Sequence, residues 1–245
     1  MITKIKATYK KFNKHFWVLI LASFIDMLGG ALIFPFFSLY LTQKFNVGMI
    51  EVGTMFTIWA VSAGVIGNTL GGALTDKFGR KAIMIFGLMS SATSALLMVI
   101  IDDLMLFYVV IGIVGIFEDI AGPARQAMIA DLVPEKLRPE AYGLLRINAN
   151  LAVTIGPAIG GFMASRSFDT LFIADVFISL AVAAIVYLFL PETKPETSAE
   201  KQEQTLGDSF KGYRHVLKDK LFIAFVVVTI LMTIMYFQMN STLSI

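Results

Sequence analysis

Two long apolar stretches joined by a short charged turn decide the fold class. Residues 52–101 read VGTMFTIWAVSAGVIGNTLGGALTDKFGRKAIMIFGLMSSATSALLMVII. A helix crosses the bilayer core, which is about 30 Å thick, with about 20 apolar residues. Val52–Leu74 and Ala82–Ile101 both reach that length, and the turn between them carries four charged side chains. The stretch therefore predicts two membrane-spanning helices joined by a basic turn.

Runs of the same kind occupy most of the remaining chain. The seven predicted spans are Phe16–Thr42, Val52–Leu74, Ala82–Ile101, Leu104–Val133, Ala141–Ser165, Leu171–Leu190 and Leu221–Ile245. The first run is too long for a secretory signal and has no small-residue cleavage site, so we expect it to be retained as a helix. The predicted fold class is an all-α membrane protein.

The composition agrees with this class and excludes others. Of the 245 residues, 57% are hydrophobic and 16% are charged, against about 25% charged in soluble domains. A net charge of +2 is too small to indicate a nucleic-acid partner. The chain has no Cys, which excludes disulfides and thiol catalysis. No nucleophile with a neighbouring base is evident, so we expect no enzyme activity, no cofactor and no metal site.

The basic residues lie almost entirely on one side of the predicted membrane. If the amino terminus is cytoplasmic, 16 of the 20 Lys and Arg residues lie on that side and only Lys44 and Arg166 lie outside. Arg125 and Arg146 fall inside spans. Cytoplasmic loops carry such an excess of positive charge. We therefore predict a multi-pass protein of the plasma membrane with a cytoplasmic amino terminus.

The chain divides into three predicted parts. Residues 1–190 form a six-helix transmembrane bundle, 191–220 a cytoplasmic linker and 221–245 a seventh span. The linker begins with a segment rich in Glu, Lys, Thr and Pro, which is typical of solvated chain. Its second half places apolar side chains at helical spacing between basic ones. That pattern predicts an amphipathic helix on the inner leaflet, with a frayed polar loop as the alternative.

A short motif recurs in spans 2 and 5. Gly67-Asn-Thr-Leu-Gly71-Gly72 and Gly156-Pro-Ala-Ile-Gly160-Gly161 both read G-x-x-x-G-G. The motifs are 89 residues apart, and the first residues of spans 1 and 4 are 88 apart, so spans 1–3 and 4–6 resemble two copies. Copies of three spans are inverted in the membrane, an architecture of secondary transporters with a substrate site near the midplane. Ordinary small-residue helix packing is the alternative interpretation.

Five ionisable side chains fall where the bilayer core excludes charge. They are Asp26, Glu118, Asp119, Arg125 and Arg146. An ionised group at this depth costs at least about 2.5–3.5 kcal/mol. Their helix faces also carry small or polar residues, and Arg146 shares its face with Asn150. We predict that these faces of spans 1, 4 and 5 line one cavity.

Two interpretations of these charges remain open. The acids and bases are either structural pairs or members of a proton-coupled site. Two bases neutralise two acids, and the third carboxylate is left to take up a proton, because desolvation disfavours its charged form. An acid that exchanges a proton when water reaches it is what proton coupling requires. Asp175, four residues into span 6, is interpreted instead as an interfacial cap, and Asp102 and Asp103 as a tight outer turn.

Three motifs resemble those of a known family. Gly72–Lys81 reads GALTDKFGRK and is similar to the G-x-L-x-D-[RK]-x-G-[RK]-[RK] loop of the major facilitator superfamily. In span 5, Gly143 and the run Gly156-Pro157-x-x-Gly160-Gly161 resemble the antiporter motif of the superfamily's drug:proton exchangers, with Ala152 where that motif has Gly. Asp26, nine residues before Pro35, resembles the acidic span-1 motif of multidrug exporters.

The resemblance covers the first six spans and implies a fold and a mechanism. It implies a transporter of twelve or more helices in two six-helix halves that works by alternating access. This chain would be its amino-terminal half together with the cytoplasmic linker and span 7, and the carboxy-terminal half would be its partner. Family members often carry an Arg four residues before the span-4 Gly, whereas Ile111 precedes Gly115 here. The proton-relay role of that Arg therefore does not carry over. Glu118, Asp119 and Arg125 are the candidates to replace it.

The charges of the turn between spans 2 and 3 oppose the helix dipoles. Asp76 follows the negative end of span 2, and Arg80 and Lys81 precede the positive end of span 3. Pairing of Arg80 with Asp131 would give an Asp76, Arg80, Asp131 cluster, and the resemblance implies that this cluster latches the inner side. Gly79 is expected to permit the tight turn. An ordinary solvated turn is the alternative.

The intramembrane acids suit proton coupling, and the resemblance of the span-5 motif to that of drug:proton exchangers implies a proton-coupled exporter of amphipathic small molecules or drugs. Protons entering from outside would neutralise Asp26 or the Glu118 and Asp119 pair, which weakens the attraction for substrate. The expected partners are a small-molecule substrate, protons and the lipid bilayer. A transporter of a sugar, peptide, lipid or other metabolite remains an alternative. So does a non-transporting membrane sensor or scaffold.

Overall fold

The computed structural model describes residues 8–195, which form helices joined by short turns, and residues 219–242, which contain one further helix. The helices are α1 Lys14–Phe45, α2 Met49–Phe78, α3 Arg80–Ile100, α4 Leu104–Leu132, α5 Arg138–Ala164, α6 Asp169–Phe189 and α7 Lys220–Thr242. Helices α1–α6 fall in the six segments that are long and apolar enough to cross a membrane. The predicted all-α membrane fold is confirmed.

The predicted linker and seventh span are described only in part. Residues 196–218, which include the predicted amphipathic helix, lie outside the described residues, as do residues 243–245 at the end of the predicted span. Helix α7 carries an apolar stretch over Lys220–Met232 and is considered by itself. The three-part division of the chain stays a prediction.

Polar side chains set the beginnings of two helices. Asn13 accepts a hydrogen bond from the backbone N–H of Phe16 at 2.8 Å, which caps the first turn of α1. Asp103 accepts one from the backbone N–H of Leu106 at 2.7 Å and caps α4 in the same way. Asp103 therefore lies in the predicted tight turn and also starts the next helix.

Two of the helices are irregular at mid-depth. Helix α2 consists of α-helical Met49–Trp59 and Asn68–Phe78 joined by π-helical Ala60–Gly67. Helix α4 is broken between Glu118 and Ala121, although a single continuous helix was expected. Pro123 explains the break, because it has no N–H to donate to the carbonyl of Asp119. The backbone N–H of Gly122 donates to that carbonyl instead, at 3.0 Å.

Helices α1–α6 enclose two apolar clusters. One cluster gathers buried side chains near the amino-terminal end of α1, including Phe16, Leu19 and Met128. The other gathers side chains near the opposite end of the bundle, including Leu41 and Phe107. The clusters occupy the two halves of the bundle, and a central cavity borders both.

The recurring glycine motifs allow two pairs of helices to approach closely. A Cβ atom at Gly156 in α5 would lie 2.5 Å from the Cβ of Ala31 in α1. A Cβ atom at Gly67 in α2 would lie 2.6 Å from the carbonyl oxygen of Ile116 in α4. The same motif therefore packs α5 on α1 and α2 on α4. If α1–α3 correspond to α4–α6, these contacts are equivalent, as the predicted inverted repeat requires.

Candidate functional site

A cavity of about 540 Å³ lies within the bundle and is lined by all of α1–α6. Aromatic side chains form part of its wall: Phe34, Phe37, Phe56, Trp59 and Phe172. Its polar lining is made of Asp26, Ser91, Ser94, Asp119, Arg125 and Asp175. Its volume lies in the range of small-molecule sites, and the combination of an apolar wall with a few polar groups is typical of them.

An ion pair inside the membrane-spanning region joins α1 to α4. Nη2 of Arg125 lies 2.5 Å from Oδ2 of Asp26. The side chains are 14% and 21% exposed, respectively, and both line the cavity. The two charges compensate each other where an isolated charge is costly. The structure thus brings together two of the sequence-predicted residues.

Asp119 reaches the same cavity at the break in α4. Its Oδ2 atom accepts a hydrogen bond of 2.8 Å from Nδ2 of Asn68. The same amide group also contacts the carbonyl oxygens of Ala63 and Gly64, at 3.4 and 3.5 Å, within the π-helical segment of α2. Asn68 therefore links the irregular segment of α2 to the irregular segment of α4. No pattern in the sequence indicated this contact.

Two of the other predicted cavity residues are not placed there, and a third is described only by its backbone. The backbone of Glu118 ends the first segment of α4, and its side chain lies outside the described part of the structure. Arg146 and Asn150 are exposed and do not line the cavity, so this expectation is corrected. Helix α5 contributes Ala149 and Val153 instead, together with Pro157.

The geometry of α5 explains this correction. Arg146 lies three residues, about 4.5 Å, nearer the start of the helix than Ala149. For Arg146, position on a helical wheel indicated the right side of α5, but it did not give the depth at which the cavity lies.

Asp175 is also placed differently from the expectation. Helix α6 begins at Asp169, so Asp175 lies six residues inside the helix and does not cap it. The residue is only 7% exposed and lines the cavity. Its Oδ1 atom occupies the space where a Cβ atom would lie at Gly29 in α1. The interpretation of Asp175 as an interfacial cap is therefore wrong.

The predicted charge cluster forms at the amino-terminal end of α3. Nε of Arg80 lies 2.9 Å from Oδ2 of Asp131, and its Nη1 lies 3.3 Å from Oδ1 of Asp76. The Arg80 side chain is 9% exposed, whereas that of Asp76 is 77% exposed. Thr193 donates a hydrogen bond of 3.0 Å to the same oxygen of Asp131. The cluster joins α2, α3, α4 and the segment after α6.

Glu192 compensates the helix dipole at the start of α3. Its two carboxylate oxygens accept hydrogen bonds from the backbone N–H groups of Arg80 and Lys81, at 2.8 and 3.1 Å. A carboxylate in this position stabilises the positive end of the dipole. Gly79 has φ +100°, and a Cβ atom there would overlap the Glu192 carboxylate. The glycine thus serves both the turn and the approach of Glu192.

Comparison with protein families decides the classification. The family model described as Major Facilitator Superfamily matches residues 19–245, most of the chain. The chain belongs to the Major Facilitator Superfamily. The resemblance stated from the turn between α2 and α3 is confirmed by this match. The chain is a multi-pass integral membrane protein.

Several curated proteins are similar to this one over most of the chain. The "Na(+), Li(+), K(+)/H(+) antiporter" of Planococcus maritimus is 26% identical over 94% of this chain and 57% of that protein. "Multidrug resistance protein 1" of Bacillus subtilis (strain 168) is 29% identical, with 90% and 55% covered. "Quinolone resistance protein NorA" of Staphylococcus aureus (strain MSSA476) is 26% identical, with 91% and 55% covered. The chain thus spans about half the length of the curated relatives it matches.

A solved structure supports the fold of the superfamily. The crystal structure of the human organic anion transporter MFSD10 (TETRAN) superposes with a TM-score of 0.60 at 21% identity. The match covers 75% of this chain and 49% of that one. At this level of identity the likeness shows the fold alone.

The antiporter-motif glycines of this superfamily member do not all have the same surroundings. A Cβ atom at Gly160 would overlap the carbonyl oxygen of Leu32, and one at Gly161 would lie 3.3 Å from the ring of Phe36. A Cβ atom at Gly143 would have no neighbour within 4 Å among the described residues. The close contact of α5 with α1 therefore depends on the second half of the motif.

Proposed function

We propose that this chain is the amino-terminal half of a proton-coupled exporter of amphipathic small molecules that works by alternating access. The observation that carries the proposal is the cavity in which Asp26, Asp119 and Arg125 meet inside the membrane-spanning bundle. Two curated relatives are named for multidrug and quinolone resistance, and a third for cation/H⁺ antiport. These names favour proton-coupled export over transport of a sugar, peptide or lipid, and over a non-transporting sensor or scaffold.

The wall of the cavity favours an amphipathic substrate. Its aromatic and aliphatic side chains suit an apolar body, and a few polar groups are available to orient it. Among the described lining residues, three carboxyl groups face one guanidinium group. This balance favours a substrate with positive charge, because Coulomb attraction between opposite charges is strong where water is excluded.

The ion pair of α1 and α4 supplies a route for proton coupling. Protonation of Asp26 removes its negative charge and ends its attraction for the guanidinium of Arg125. The cavity lining then becomes more positive by one charge, so a cationic substrate is bound less tightly. Loss of the proton restores the pair. Substrate and proton thereby compete for the same cavity, which is the requirement for exchange across the membrane.

The charge cluster around Arg80 is proposed as the latch of the inner side. It connects three helices and the segment after α6 at one end of the bundle. In alternating access, one six-helix half rocks against the other around a fixed site. A latch at this end stabilises the state that is closed there and open on the opposite side.

We also propose that the bundle sits in the plasma membrane with its amino terminus in the cytoplasm. The distribution of Lys and Arg supports this orientation. Residues 1–245 contain no Cys, so a cysteine introduced at Lys77 or at Asp102 is the one label site within them, and peptide mass spectrometry identifies its adduct. In intact cells, an impermeant maleimide is expected to react at position 102 and not at position 77; the reverse pattern contradicts the orientation.

Counterflow of ethidium tests the transport activity. Ethidium is an aromatic permanent cation, so its own charge does not change with pH. Proteoliposomes that contain the full-length transporter and unlabelled ethidium are expected to take up labelled ethidium transiently at equal pH on both sides. Protein-free liposomes are the control. A sensor or scaffold gives no saturable uptake. Labelled Na⁺ in place of ethidium tests for transport of inorganic cations, which the name of the Planococcus relative suggests.

A further inference from the structure

We propose that Asp175 is a proton relay between the Asp26–Arg125 pair and the end of the bundle opposite the amino terminus. It passes protons to Asp26 through the cavity that both residues line. The inference rests on the proposed function and adds a residue that neither the motifs nor the ion pair identified. The Asp175 carboxyl group is buried in the cavity, and a mechanism in which only Asp26 exchanges protons gives it no role. This group, with 7% exposure, lines the cavity, although burying a carboxyl group is costly.

The position of Asp175 is set by α1. Its Oδ1 atom lies against Gly29, in the space that any larger residue at position 29 would fill. Gly29 is three residues from Asp26, so it lies about one helical turn along the same face. The two carboxyl groups are therefore held about one turn apart along the wall of one cavity.

The depth of Asp175 places it toward the end of the bundle opposite the amino terminus. It lies six residues from the start of α6, or about 9 Å along the helix. Asp26 lies 12 residues from the start of α1 at the other end, or about 18 Å. A proton that enters from the predicted outer side meets Asp175 before it meets the ion pair.

The surroundings of Asp175 determine which charges act on it. From α1 the facing ionisable group is Asp26. Helix α3 contributes Ser91 and Ser94 to the cavity and has no charged residue between Ala82 and Ile100. The basic residues of α5 lie toward its ends or are exposed: Arg138, Arg146 and, just after the helix, Arg166. Across the cavity lie Asp119 and Arg125, and the exposed Asp169 starts α6.

The proposed transfer conserves charge at each step. A hydronium ion in the cavity gives its proton to a carboxylate oxygen of Asp175, which forms an O–H bond and leaves water. That bond then breaks as the proton passes through cavity water to Asp26. Asp175 returns to a carboxylate, and the new O–H bond at Asp26 releases Arg125. The cavity is large enough for several water molecules, each of which takes about 30 Å³ in the liquid.

The transport test compares two substitutions at this position. Asp175→Asn removes the exchangeable proton, and Asp175→Glu keeps a carboxyl group whose extra methylene faces the cavity. In proteoliposomes with an acidic lumen, Asp175→Asn is expected to slow gradient-driven ethidium uptake at least about tenfold, since positioned proton-transfer groups contribute about 10²-fold or more to rates. Counterflow at equal pH is expected to persist at saturating ethidium, with half-maximal uptake at a higher ethidium concentration, because Asp175→Asn removes one of the cavity carboxylates that attract the cation. Asp175→Glu is expected to restore gradient-driven uptake. Asp102→Asn, at an exposed turn, is the matched control.

Each outcome decides the role of Asp175. Unchanged gradient-driven uptake by Asp175→Asn overturns the relay. Equal loss of uptake and counterflow in both variants indicates a structural role and also overturns it. Absence of counterflow in the wild-type transporter contradicts the proposed function itself, and the relay with it.

A second measurement uses the wild-type protein and does not depend on folding of a variant or on transport. Dicyclohexylcarbodiimide adds to protonated carboxyl groups in apolar surroundings. Peptide mass spectrometry is expected to find the adduct on Asp175 after treatment at acidic pH, and much less of it at alkaline pH. Absence of any adduct on Asp175, with adducts found on other cavity carboxyl groups, overturns the proposal.

Discussion

Replacing Arg80 with Ala is expected to lower the free energy of unfolding by about 2–3 kcal/mol. The substitution leaves the Asp131 carboxylate, which is 22% exposed, without its guanidinium partner. Removing one partner of a buried ion pair costs about 3–5 kcal/mol of stability, and the partial exposure of Asp131 reduces that cost. The hydrogen bond from Thr193 remains but carries no positive charge.

Lys77→Ala is the matched control for this substitution. It removes a positive charge from the same turn, but the Lys77 side chain is exposed and forms no ion pair among the described residues. We expect a change within about 0.5 kcal/mol. Denaturant titration of the purified protein in detergent measures both values. Equal effects of the two substitutions would mean that the cluster is an ordinary solvated turn.

Replacing Gly160 with Ala is expected to destabilise the bundle, although the same change stabilises most helices. The added Cβ overlaps the carbonyl oxygen of Leu32 and lies 3.0 Å from the ring of Phe36. Overpacking of this kind costs about 1–3 kcal/mol. It also separates α5 from α1, whose facing residues line the cavity, so transport is expected to fall together with stability.

Gly143→Ala is the control within the same helix. The added Cβ meets no described atom within 4 Å, and Gly in a helix interior costs about 0.5–1 kcal/mol relative to Ala. The control is therefore expected to raise stability by about that amount. Opposite signs for the two substitutions support the close contact of α5 with α1. Stabilisation by both would contradict it.

The six spans of α1–α6 and most of their limits were predictable from the sequence. About 20 consecutive apolar residues have few stable arrangements other than a helix that spans lipid. The observed bounds differ from the predicted ones mainly because several helices extend beyond the apolar run, as α2 does by about one turn from Leu74 to Phe78. Polar residues can continue a helix outside the bilayer core, so apolar length underestimates helix length.

The break in α4 changed the predicted arrangement of its faces. On a continuous helix, Gly115 would share one face with Gly122 and Arg125. In the structure, a Cβ at Gly115 would lie 3.2 Å from the Cβ of Ser62 in α2, whereas Gly122 and Arg125 line the cavity. Pro123 was the available signal, because a proline disrupts the hydrogen bond to the fourth residue before it.

The intramembrane charges were found from the sequence, but their partners were not. The free-energy cost of an ionised side chain in the bilayer core was enough to identify Asp26, Asp119 and Arg125 as residues that must avoid lipid. Which acid pairs with Arg125 depends on how α1 and α4 pack, and no periodicity within one helix contains that information. Asp175 was misread for the same reason, since only the contact with Gly29 in another helix reveals its environment.

The claim on which this account depends is that Asp26 exchanges the coupled proton. A pH difference of about one unit stores about 1.4 kcal/mol per proton, enough for an about tenfold accumulation of substrate. In proteoliposomes with an acidic lumen, we expect the wild-type transporter to accumulate ethidium to about that extent. We expect the Asp26→Asn variant to accumulate no ethidium but still to show counterflow. If the Asp26→Asn variant accumulated ethidium to the same level as the wild-type transporter, the account would be contradicted.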